Sequence, residues 1–70
     1  MNNKIQYLVE GISKDILHYI MDDLHIDVTE ALSMFYNSDT YIALNNPESG
    51  LYIESSAYVY ELFKDELKGR

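Results

Sequence analysis

Seventy residues fit one small domain, residues 1–70, with twelve acidic side chains against five basic ones and a formal charge of -7. Cysteine is absent, so neither a disulfide nor a thiolate metal site reinforces a core this small. A hydrophobic fraction of 47% is that of a globular chain rather than a disordered one.

The first predicted element runs from about Asn3 to His25. Ile5, Leu8, Val9, Ile12, Ile16, Ile20 and Leu24 recur every three or four residues, and Leu17 and Met21 widen the stripe. That is the period of an amphipathic helix, with Gly11 as a weak point inside it. Asp27 then reads as a helix cap, with Glu30 three residues on as in a capping box and Ile26 placed for a hydrophobic staple. The second helix carries Val28, Ala31, Leu32 and Phe35 and ends near Tyr36-Asn37.

Ser38 reads as the cap of a short third helix, Tyr41-Ile42-Ala43-Leu44. Asn45 to Gly50 is rich in turn formers, and Leu51-Tyr52-Ile53 reads as extended. Thr40 to Leu44 could instead pair with Leu51 to Ile53 as a small β-hairpin. Ser55 or Ser56 starts the last helix, which carries Val59, Leu62, Phe63 and Leu67 and ends at Gly69, with Lys64 and Lys68 suiting its C-terminal dipole. The expected fold class is therefore mostly α. It is a compact bundle of three to four helices with a short extended segment or small β-hairpin before the last. Its core should hold Ile5, Leu8, Ile12, Ile16, Ile20, Leu24, Leu32, Phe35, Leu44, Val59, Leu62 and Phe63.

Charge placement bears on function more than net charge does. The basic residues are Lys4, Lys14, Lys64, Lys68 and Arg70, so no Lys or Arg lies between Asp15 and Phe63, a stretch with nine carboxylates. A nucleic-acid surface needs clustered cations to displace counterions from phosphates, and anionic membranes need the same. No run reaches the ~18 apolar residues of a membrane span. Met1-Asn2-Asn3-Lys4 lacks the pattern of a secretory leader, so the expected compartment is cytoplasmic.

Two constellations are candidate sites. His18, Asp22 and His25 fall at i, i+4 and i+7, one face of a continuing helix, and imidazole with carboxylate is a donor set for a divalent metal. The same pattern suits polar residues on a helix flank. Tyr52, Tyr58 and Tyr60 are candidates for partner binding, because tyrosine buries area while keeping a polar tip. Tyr58 and Tyr60 point to different sides of the last helix, so at most one of them belongs in the core. Asp22, Asp23 and Asp27 lack the central glycine of a calcium loop. No phosphate loop, nucleophilic cysteine or catalytic triad order is present, and no cofactor is expected.

The layout of the second and third helices fits a helix-turn-helix, but its recognition helix would start with an acid and hold no base. The run Phe35-Tyr36-Asn37-Ser38-Asp39-Thr40-Tyr41, followed by Leu44, Gly50-Leu51-Tyr52 and Ser55, resembles a family of short single-domain bacterial proteins of the Firmicutes and their relatives. That resemblance implies a free-standing domain with an antitoxin-like or accessory interaction role and assigns no functional residue. The leading expectation is a non-enzymatic protein-interaction module that binds a basic protein partner or itself. A transcription-linked helix-turn-helix domain and a small metal-binding protein are the alternatives.

Overall fold

The computed structural model describes residues 3–69. Its first helix, α1 (Asn3–Leu24), is the spine. Twenty-two residues at about 1.5 Å each give about 33 Å, which is also the longest dimension of the molecule. The predicted stripe is the buried one, with Val9, Ile12, Ile16 and Ile20 turned inward. Against it pack α2 (Val28–Tyr36), α4 (Ser56–Lys68) and a 3-10 turn, Leu51–Ile53. A six-residue helix, α3 (Asp39–Leu44), and a second 3-10 turn, Pro47–Ser49, complete the chain.

The starts of α2, α3 and α4 are each set by a short polar side chain. The Asp27 carboxylate accepts the Glu30 amide at 2.9 Å, Ser38 Oγ that of Tyr41 at 3.0 Å, and Ser55 Oγ that of Tyr58 at 3.1 Å. These bonds satisfy donors that the helix itself leaves open. For α3 the capping is completed from a distance. The Glu66 carboxylate, on α4, accepts the Asp39 and Thr40 amides at 2.9 Å each and the Thr40 hydroxyl at 2.7 Å. Three successive amides of a very short helix are thus held by Glu66 and Ser38.

The core holds Phe35, Phe63, Ile16, Ile20, Leu44 and Val59 in full burial. Ile5 packs partly against it, and Leu8, Leu32 and Leu62 are half-buried. Leu24 departs from expectation and is 46% exposed. The helical period continues through it, but α1 stops there because His25 turns left-handed at φ +55°. A side chain is disfavoured in that region, and glycine is the usual occupant after a helix end. Val9, Ala31 and Tyr60 join the core instead.

The extended segment or hairpin does not form, and no strand occurs among the described residues. Thr40 to Leu44, the strand partner such a hairpin needs, is committed to α3 by its caps. Asn46 Oδ1 accepts the Glu48 amide, Pro47 supplies the first position of one 3-10 turn, and Ser49 Oγ accepts the Leu51 amide. Gly50 at φ +72° then reverses the chain into the next turn.

Two positions carry a cost with no internal return. The Ser13 hydroxyl is buried and, among the described residues, without a hydrogen-bond partner. Gly11 is exposed in the middle of α1, and a Cβ there would meet nothing within 4 Å. Glycine there is about 1 kcal/mol less favourable than alanine.

Glu66→Ala should lower stability by about 2 kcal/mol, since it strips charge-assisted bonds from two backbone amides and a hydroxyl. His25→Gly should raise it by about 1 kcal/mol by relieving the left-handed position. Urea unfolding at neutral pH measures both, and a neutral effect of Glu66→Ala would sink the distant-cap account.

Candidate functional site between the first and last helices

α1 and α4 run in the same sense, as the order of their ties shows. Ser56 Oγ donates to Asp15 Oδ2 at 2.6 Å, and Tyr60, one turn further along α4, donates to Asp23 Oδ2 at 2.6 Å. Between these ties the Tyr19 and Tyr60 rings meet at 5.1 Å, tilted by 46°. Between α1 and α4 lies a cleft lined by Tyr19, Asp22, Asp23, Ala57, Tyr60 and Glu61. Ala57 keeps its floor open, since every other lining side chain is long or charged.

Three carboxylates thus rim two aromatic rings. Lys64 closes one edge, with Nζ 3.0 Å from Glu61 Oε1 and 5.1 Å from the centre of the Tyr60 ring. The Lys64–Glu61 pair is largely exposed and adds little stability. Its geometry shows what the cleft edge accepts, an ammonium between a carboxylate and a ring face.

The Tyr60 ring is buried while its hydroxyl reaches the exposed Asp23. Burial, first, and then the Asp23 hydrogen bond, the Asp23 charge and the Glu61 charge push the phenol well above the usual tyrosine value. The neutral phenol is the form the fold favours. Its contribution is complete below the ordinary tyrosine value of about 10 and is lost as pH climbs through the raised one.

The predicted tyrosine set divides. Tyr60 is a core residue that also lines the cleft, because the α4 face that carries Val59 and Phe63 carries it too. Tyr52 is half-buried against the core, and Tyr58 is 50% exposed on α4. The proposed metal ligands are not brought together. His18 and Asp22 stay exposed on α1, but His25 lies beyond the helix end at φ +55°, so the i+7 spacing no longer places it on their face. Among the described residues no three His, Asp or Glu side chains converge as a metal centre would require. Only Asp22 of that triad lies at the cleft.

The α2–α3 pair keeps the helix-turn-helix order with a two-residue break, Asn37 and Ser38. However, the α3 amides that would face a phosphate already hold the Glu66 carboxylate, and its exposed side chains are Asp39 and Ile42. Tyr19, Ala57 and Glu61 escaped the sequence reading, and Asp23 entered it only as part of the calcium loop that was set aside. Tyr19, Asp22 and Asp23 sit at i, i+3 and i+4, and so do Ala57, Tyr60 and Glu61, so each set lies on one helix face.

Tyr60→Phe should cost about 1 kcal/mol at neutral pH. It should also flatten the loss of stability above about pH 10 relative to the parent chain, measured by urea unfolding across pH. An unchanged alkaline slope would mean that Tyr60 is not the group responsible. Comparison with protein-family models, with curated proteins and with solved structures gives no match to this chain.

Proposed function

We propose that this chain is a protein-interaction module that takes a basic segment of a partner protein in the α1–α4 cleft. The observation that carries the reading is the pairing of three carboxylates with two tyrosine rings in one open groove. A lysine or arginine side chain of a partner would repeat the contacts of Lys64 with Glu61 and Tyr60. The long stretch without Lys or Arg adds a field that draws cationic partners and repels phosphates. The same field disfavours the transcription-linked reading, as does the Glu66 carboxylate over the start of α3.

The test is titration with a short arginine-rich peptide, followed by amide shifts of the labelled protein. Shifts should centre on Tyr19, Asp22, Ala57 and Glu61. Affinity should fall about tenfold in an Asp22→Asn/Glu61→Gln double variant, the order of two partly exposed ion pairs. It should weaken further with added salt. Equal affinity in the double variant, or saturable binding of duplex DNA at physiological salt, would sink the proposal.

A further inference from the structure

The α1–α4 cleft already has a cation of its own at its rim. Lys64, one turn along α4 from Tyr60, holds its ammonium 3.0 Å from Glu61 Oε1 and 5.1 Å from the centre of the Tyr60 ring. Glu61 and Tyr60 both line the cleft, and Lys64 reaches them from outside it. The Lys64 side chain is 38% exposed against 64% for that of Glu61, so its stem lies against the protein rather than in solvent.

The remaining acceptors of the cleft are unequally engaged. Asp23 accepts the Tyr60 hydroxyl at 2.6 Å. Exposed Asp22 has neither a hydrogen bond nor an ion pair among the described residues. Tyr19 and Phe63 also pack against the Tyr60 ring, and Tyr60 is only 9% exposed. Little of that ring is therefore left for a second cation.

We infer, on the reading of this cleft as the seat of a basic segment, that Lys64 is an internal competitor which the partner's cation must displace. Two cations brought to one carboxylate and one ring repel each other. An incoming lysine or arginine therefore meets Asp22 first. It gains Glu61 and Tyr60 only when the Lys64 ammonium swings out into solvent. A flexible four-carbon stem permits that movement. The fold does not resist it, because an exposed pair of this kind adds little stability. Lys64 thus weakens every cationic ligand of the cleft by the contacts that it already makes there.

The arginine-rich peptide, titrated into labelled protein, tests the displacement directly. Nuclear Overhauser contacts between the Lys64 side chain and the Tyr60 ring should be present in the free protein and vanish at saturation. Lys64→Met keeps an apolar stem, removes the charge and should bind about fivefold more tightly, the order of one exposed ion pair with a cation–π contact. Lys64→Arg, which keeps the charge, should bind as the parent does. Lys68→Met, one turn further along α4 and outside the cleft lining, controls for net charge. At physiological salt it should change affinity by less than about twofold. Circular dichroism should show unchanged helicity in all three variants. Lys64–Tyr60 contacts that persist at saturation, or a Lys64→Met variant no tighter than Lys68→Met, would overturn the displacement and leave the cleft as the binding site. A peptide that binds neither the parent nor Lys64→Met would overturn both.

Discussion

The ring of Phe35 is where the separate pieces of this chain become one object. It meets Tyr41 of α3 edge-on at 5.2 Å and Phe63 of α4 at 5.5 Å, while its own carbonyl accepts the Ser38 hydroxyl at 2.6 Å. One residue therefore joins α2 to α3 by backbone and both to α4 by its side chain. A void in its place would cost about 3–5 kcal/mol, comparable to the whole stability that a core of this size supplies. The Ser38 cap, the Glu66 bonds and the α1–α4 cleft all depend on helices that Phe35 holds in register.

The dependence runs through charge as well as packing. A helix of six residues does not persist alone in water. α3 persists because α4 brings the Glu66 carboxylate to its first amides and Phe35 holds Tyr41 over the core. That arrangement has a functional side. The amides that often bind anions are occupied from within, while the carboxylates of the α1–α4 cleft face outward. α3 keeps its anion-binding donors to itself, while the cleft displays acceptors.

Much of this fold was readable before any coordinates. The apolar period of α1, the caps at Asp27, Ser38 and Ser55, and the stop at Gly69 are local signals, and local physics decides them. The failures have non-local causes. Leu24 continues a perfect period past the point where the backbone turns at His25, and periodicity cannot see a backbone angle. Leu51–Ile53 looks extended because it is apolar and β-branched at its end, yet its would-be partner is held in a helix by a carboxylate 26 residues away. The cleft was hidden for the same reason. Its two i, i+3, i+4 sets are visible on each helix, but only the pairing of residues 37 to 41 positions apart brings them together.

The side-by-side packing of α1 and α4 has a consequence for how the chain is made. The spine is synthesised first and its main cover last, with Val59, Phe63 and Glu66 supplying the final wall of the core and the cap of α3. A nascent chain that has emerged only through Ile53 exposes the stripe of Ile12, Ile16 and Ile20 with nothing from α4 to shield it. Domains close as cooperative units during synthesis, so this one stays open on the ribosome until its last helix clears the tunnel. The acidic, tyrosine-lined surface between α1 and α4 therefore exists only once α4 has joined the spine.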